Sequence, residues 1–150
     1  MSKDFFTMKG YQLKERKREK KDGNDCDGHL STAMEDYLEM ICRLICSDRE
    51  VKVRDVAALL NVRPSSASKM IKNLGEQGYL KAEKYGTISV TQKGMEIGKY
   101  LLYRHDIVNK FLCLLNETDD ELTQTEMIEH FLEKRTVKNM EKLSKILEKN

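Results

Sequence analysis

The sequence is 150 residues long, 35% charged and 39% hydrophobic, with one proline and no tryptophan, which describes one helix-rich domain or two small ones sharing a core. No apolar run approaches the ~18–20 residues of a membrane span and no signal-peptide core opens the chain, so a cytoplasmic location without a membrane partner is expected. The net charge of +2 hides a segregation: residues 49–104 carry an excess of six basic side chains, while 31–48 and 105–150 are each acidic by three, which suits a polyanion in the middle and cations at the flanks.

Residues 1–30 join the charge run KERKREKK to a Gly/Asp/Asn-rich end and are expected to form a basic, mobile N-terminal extension. Thr32-Ala-Met-Glu35 has the Thr-x-x-Glu form of a capping box and predicts a helix lasting to about Ser47. Its apolar face holds Met34, Tyr37, Leu38, Ile41, Leu44 and Ile45, and Asp36, Glu39 and Arg43 make a narrow polar stripe. Cys42 and Cys46 lie one turn apart in that pattern and are expected to pack. With Cys26 and Cys113 they show no Cys-x-x-Cys spacing, so reduced thiols are expected.

Residues 53–60 (VRDVAALL) form a short second helix, with Asn61 suited to its C-terminal end. Pro64 fits the first turn of a third helix, RPSSASKMIKNLGEQ, which Gly78 closes. The segments YLKAEKY and TISVTQ are then β-rich and flank the turn Tyr85-Gly86-Thr87, a hairpin signature. A long helical pattern runs from Lys93 to Leu115, residues 116–120 form a loop, and helices follow at about 121–133 and 136–149.

Two short helices, a tight turn and a hairpin make a winged helix-turn-helix, so the fold class is mainly α with a small β-hairpin wing. Val53, Val56, Ala57, Leu60, Val62, Ala67, Met70, Ile71 and Leu74 supply the seam between the two helices. The exposed side of the second carries Arg63, Ser65, Ser66, Ser68, Lys69 and Lys72, and Lys84 and Tyr85 sit at the hairpin tip. Small hydroxyls allow close approach to a groove, and Lys and Arg neutralise phosphate. Winged helices also bind proteins, but the basic excess of this segment favours double-stranded DNA.

In TEMIEHFL, residues 125–132, the i, i+3, i+4 spacing places Glu126, Glu129 and His130 on one helix face, with Met127, Ile128, Phe131 and Leu132 opposite. Alone, that face reads as an ordinary solvated one. Asp36 and Glu39 on the first helix offer two more carboxylates, and His105 stands at the edge of a stripe formed by Leu101, Val108 and Leu112. If these helices pack together, four carboxylates and two imidazoles meet, and burying them calls for a cation. Oxygen donors with some imidazole suit Mn²⁺ or Fe²⁺, whereas thiolates would favour Zn²⁺ or Cu(I).

From about Ser31 onward the chain resembles the diphtheria-toxin-repressor (DtxR) family of metal-dependent transcription regulators, in its manganese transport regulator branch. The stretches that carry the resemblance are MEDYLEMI, VRPSSASKMIKNL, YLKAEKYGTISVTQKG, IGKYLLYRHDIVNKFL and EMIEHFL. The resemblance implies that Asp36, Glu39, His105, Glu126, Glu129 and His130 hold a binuclear Mn(II) site with two ions per chain. The iron-responsive branch has methionine where this chain has Asp36 and cysteine where it has Glu126. It further implies a winged helix-turn-helix DNA-binding domain at 31–92 and a helical dimerisation and metal-binding domain at 93–150. A homodimer on an inverted-repeat operator follows from it, with repression of Mn(II)-uptake genes.

The basic extension is foreign to the family pattern, and the chain stops somewhat early for this branch, which bears on the last dimer helix. The expected activity is regulatory, with no catalytic residues. The alternatives are a sensor of the same fold tuned to Fe(II) or Zn(II), a winged-helix regulator that ignores metal, and a binuclear metallohydrolase, for which the sequence offers no extra nucleophile or phosphate-binding loop.

Overall fold

Ser31 opens the first helix: its hydroxyl accepts the Met34 N–H at 3.3 Å, and helix α1 then runs Thr32–Cys46. The cap is therefore Ser31, and the capping box expected of Thr32 and Glu35 is not formed; Glu35 sits a full turn inside the helix with its carboxylate engaged elsewhere. The computed structural model describes residues 30–149. Expectations for residues 1–29 lie outside the described residues, as does the side chain of Lys84.

The helix-turn-helix follows the sequence closely. Helix α2 spans Val53–Leu59, and the Asp55 carboxylate accepts the Lys52 N–H at 3.0 Å at its start. Asn61 turns the chain in the left-handed region (φ 52°), a conformation its short amide tolerates better than most side chains. Helix α3 spans Pro64–Glu76 with proline in its first turn, and Gly78 takes φ 81° just beyond its end.

Strands β2 (Leu80–Ala82) and β3 (Thr87–Val90) form the expected hairpin, and Tyr85 at its tip adopts φ 64°. A third strand, β1 (Val51–Lys52), pairs antiparallel with β3, so the sheet order is β1-β3-β2, with Val51 opposite Ile88 and Leu80 opposite Val90. Two residues are too few to show a period, and β1 was invisible in the sequence for that reason.

Helix α4 spans Gln92–Asn116 and is capped by Thr91, whose hydroxyl accepts the Gly94 N–H at 3.0 Å. Helix α5 covers Leu122–Ile128, a 3₁₀ turn covers Glu129–Phe131, and α6 covers Lys134–Leu147. The single helix expected at 121–133 thus breaks after Ile128, and the last helix starts two residues earlier than predicted.

The main core joins Leu38, Ile41 and Cys42 of α1 to Val56 and Ala57 of α2, Ala67 and Leu74 of α3, Leu80 and Ile88 of the sheet, and Leu101 of α4. Truncating a buried leucine such as Leu38 or Leu74 to alanine removes roughly 2–5 kcal/mol of stability. Val62, expected in the seam, is instead exposed, and of Cys42 and Cys46, both free thiols expected to pack, only Cys42 is buried. Farther along α4, Val108 and Leu112 are buried, as are Thr125 of α5 and Val137 and Ser144 of α6, which packs along α4. Helix α4 therefore serves both halves of the molecule. Its contact with α1 is close: a Cβ at Gly98 would collide with the sulfur of Cys42, so only glycine lets the two backbones approach there. Among the described residues no helix is long and apolar enough to cross a membrane.

A candidate metal centre beside a candidate nucleic-acid interface

One cleft of about 300 Å³ is lined by Asp36 and Glu39 of α1, His105 of α4, Glu126 of α5, and Glu129 and His130 of the 3₁₀ turn, with Met40, Met127 and Phe131 at its walls. All six residues singled out in the sequence therefore open onto one space, although they come from four elements. Nδ1 of His105 lies 3.2 Å from Glu129 Oε2 and 3.7 Å from Glu39 Oε1, and ligand atoms of these three residues all fall within 4.8 Å of one another. Nε2 of His130 lies 2.9 Å from Asp36 Oδ1. Glu126 stands apart, exposed on the rim of the cleft.

Helix α5 gives way to the 3₁₀ turn at Glu129, which is 2% exposed, while Glu126, one turn earlier on α5, stays outside. The apolar face expected opposite the acids is not buried as a unit. Met127 and Phe131 are 69% and 80% exposed, not buried opposite the acids.

Electrostatics mark the cleft as short of positive charge. Burial raises the Glu39 carboxyl above its ordinary range against the hydrogen bond from Arg43, and the charge of Glu129 adds to the rise. Burial likewise raises Asp36, against the nearby His130. His105 is raised by its hydrogen bond to Glu129, which outweighs the desolvation that lowers it. Carboxyl groups raised by burial and by one another's charge describe a site in which a divalent cation would relieve the repulsion. The donors are carboxylate oxygen and imidazole nitrogen, with no thiolate among the lining residues, which fits a hard or borderline divalent ion.

Two residues were missed by sequence reasoning. Arg104 of α4 is nearly fully buried, and its Nη2 donates to Glu35 Oε2 at 2.8 Å, while Glu35 Oε2 also lies 2.7 Å from His130 Nδ1. Glu35 had been assigned to a cap. Arg104 carried a readable signal: it falls three residues after Leu101 and four before Val108, inside an apolar stripe where a charge must find a partner.

On the other side of α1, Arg63, Ser65, Ser66, Ser68, Lys69 and Lys72 are all exposed on α3 and its leading edge, as expected. Ala67, Ile71 and Leu74 fix that face outward by burying the opposite one. Lys72 makes only a loose 3.8 Å contact to Glu76, so the basic side chains are open to an incoming anion. Tyr85 projects from the hairpin tip at 94% exposure.

Residues 29–88 match the family model described as iron dependent repressor, N-terminal DNA binding domain. The chain is 35% identical over 119 residues to the HTH-type transcriptional regulator MntR of Lysinibacillus sphaericus (strain C3-41), covering 79% of this chain and 86% of that one. To the MntR of Bacillus subtilis (strain 168) it is 41% identical over 101 residues, covering 67% and 71%. Among solved structures it resembles the manganese regulator SloR, with a TM-score of 0.65 and 27% identity over 73% of this chain, and it spans about half of that longer chain (52%). With a helix-turn-helix, a wing and this extent of shared sequence, the chain belongs to the diphtheria-toxin-repressor family of DNA-binding transcriptional regulators, in its MntR branch.

Proposed function

We propose that this chain is a manganese-responsive repressor that acts as a homodimer on an inverted-repeat operator and silences Mn²⁺-uptake genes when the ion is plentiful. The observation that carries the reading is the convergence of Asp36, Glu39, His105, Glu126, Glu129 and His130 on one cleft between α1 and the α4–α5 region. These six would hold two Mn²⁺ ions per chain, with Glu39, His105 and Glu129 as one group and Asp36 and His130 as the start of the other. When bound, the ion supplies the positive charge that lets buried carboxylates from separate elements share one space. Fe²⁺ or Zn²⁺ is the alternative effector, and the oxygen-rich donor set favours Mn²⁺ or Fe²⁺ over Zn²⁺. The hydrolase alternative falls with family membership, since the relatives are transcriptional regulators.

The mechanism lies in where the ligands stand. Asp36 and Glu39 belong to α1, which packs with α2 and α3 in the DNA-binding part, residues 31–92. His105, Glu129 and His130 belong to the part from 93 onward, which would form the dimer. Without an ion, carboxylate repulsion across the cleft would loosen the turn carrying Glu129 and His130 against α1, on which α4 already packs closely, and neutralising it would hold them together. In a dimer this fixes the two copies of α3 at the spacing of successive major grooves, about 34 Å. Arg63, Ser65, Ser66, Ser68, Lys69 and Lys72 would then meet the groove, with Lys84 and Tyr85 of the wing on the adjoining backbone. A coupling of ~1–3 kcal/mol changes operator affinity ~5–150-fold.

The test is selection of duplex DNA from a random pool, run in parallel with Mn²⁺ and with chelator. Enrichment of an inverted repeat with Mn²⁺ alone is the expected result. Equal enrichment in both arms would remove the metal switch, and enrichment in neither would remove the operator.

A further inference from the structure

The geometry points to Glu35 and Arg104 as positioning residues that fix which nitrogen His130 offers to the cleft, an inference that rests on the metal reading above. Glu35 Oε2 lies 2.7 Å from Nδ1 of His130, and Asp36 Oδ1 lies 2.9 Å from Nε2 on the other side of the ring. A carboxylate oxygen has only lone pairs to offer, so both contacts call for a ring proton: Nδ1 donates to Glu35 and, with no ion in the cleft, Nε2 donates to Asp36. The placement of the ring, with Nδ1 engaged by Glu35, leaves Nε2 as the nitrogen that faces Asp36 and the cleft.

Arg104 Nη2 also approaches Nδ1, at 3.2 Å. A nitrogen that already points its proton at Glu35 cannot accept another, so the guanidinium bond goes to Glu35 Oε2 at 2.8 Å. The chain of contacts is therefore Arg104 to Glu35 to His130. Each link has a distinct task. Arg104 neutralises Glu35, which keeps that carboxylate turned outward as an orienting group and removes it from competition for the ion. Glu35 in turn holds the plane of the imidazole and keeps Nδ1 engaged.

The cost of this arrangement argues that it has a purpose. The side chain of Arg104 is 4% exposed, and its buried Nε finds no hydrogen-bond partner among the described residues. An unmet donor in a buried guanidinium is destabilising, and an apolar residue between Leu101 and Val108 would pack there without that penalty. Partners of this kind behind a metal-ligating histidine typically change metal affinity 10–100-fold when removed.

The test measures Mn²⁺ binding to the full chain by electron paramagnetic resonance of the free ion, for wild type, Glu35→Ala, Glu35→Gln and His130→Ala. Imidazole ¹⁵N NMR of the metal-free wild type is recorded alongside. The expected results are a ring proton on Nδ1 of His130, affinity lowered 10–100-fold in Glu35→Ala, and partial rescue in Glu35→Gln, whose amide oxygen still accepts the Nδ1–H. A wild-type His130 protonated on Nε2 alone would overturn the proposal even if no variant folds. Glu35→Ala binding Mn²⁺ like wild type, while His130→Ala does not, would overturn it and leave the metal reading standing. Wild type that binds no Mn²⁺ would end both.

Discussion

The guanidinium of Arg43 donates to Oε1 of Glu39 at 2.9 Å, and that same oxygen faces Nδ1 of His105 at 3.7 Å. Arg43 stands one turn beyond Glu39 on α1, with its side chain partly in water, and is the counter-ion that an ion bound at Glu39 would have to displace. An ion pair with one wet partner is worth ~0.2–1 kcal/mol, which converts to an affinity change of up to about 5-fold. Arg43→Met keeps the aliphatic stem and removes the competitor. Titration calorimetry should show Mn²⁺ bound about 2- to 5-fold more tightly; unchanged or weaker binding would place Arg43 outside the competition.

Because Glu39, His105 and Glu129 come from α1, α4 and the 3₁₀ turn, they are brought together only in the folded chain. An ion that binds there adds about 2.7 kcal/mol of stability at a free concentration 100-fold above its Kd. For a domain of this size the melting temperature should rise by about 5–11 °C with Mn²⁺ and return on chelation. His105→Ala should abolish most of that rise while melting normally without metal. A melting curve indifferent to Mn²⁺ in the wild type would refute the site.

Much of this centre was legible because its residues sit at helical spacings. Asp36 and Glu39 share a face of α1, and His105 lies beside the Leu101–Val108 stripe where the structure finds it. What was not legible depends on where a helix stops. Nothing in TEMIEHFL marks Ile128 as a helix end, since no glycine or proline interrupts it, and the helical spacing puts Phe131 on the face opposite the acids, whereas it is exposed at the wall of the cleft. Glu35 was misread for a different reason. Thr32 and Glu35 satisfy the capping pattern, but Ser31 already serves as cap, and the glutamate's partners, Arg104 and His130, are 69 and 95 residues away. A contact at that separation has no trace in local sequence.

Tyr103 of α4 donates to Glu141 Oε2 of α6 at 2.7 Å, which ties the last helix to the long one. The bond to Glu141 pushes the phenol from 10.0 up to about 12, with burial contributing after it. A raised folded-state pKa means that the native chain keeps a proton the unfolded chain loses first. The associated stability is therefore fully present below pH 10 and lost as the pH climbs from about 10 to about 12. Tyr103→Phe should melt below wild type at neutral pH, and the gap should narrow in urea titrations between about pH 10 and 12. A gap that stays constant over that range would show that the phenol's proton is not held by Glu141.

Lys69 of α3 is exposed and makes no ion pair among those described, whereas Ala67 and Ile71 on either side of it are buried. Its ammonium is thus held on the outer face of the helix, free to meet a phosphate, and a compact point charge reads no base sequence. Each phosphate neutralised releases condensed counterions and contributes about 0.9 to the slope of log affinity against log salt. Lys69→Ala should weaken binding to every duplex by a similar factor and lower that slope by roughly 0.9. Ser66→Ala, which removes a hydroxyl and no charge, should leave the slope alone and shift only the preference among sequences. If Lys69→Ala changed sequence preference at constant salt slope, the lysine would be reading a base edge, and α3 would have to lie deeper in the groove than a phosphate contact requires.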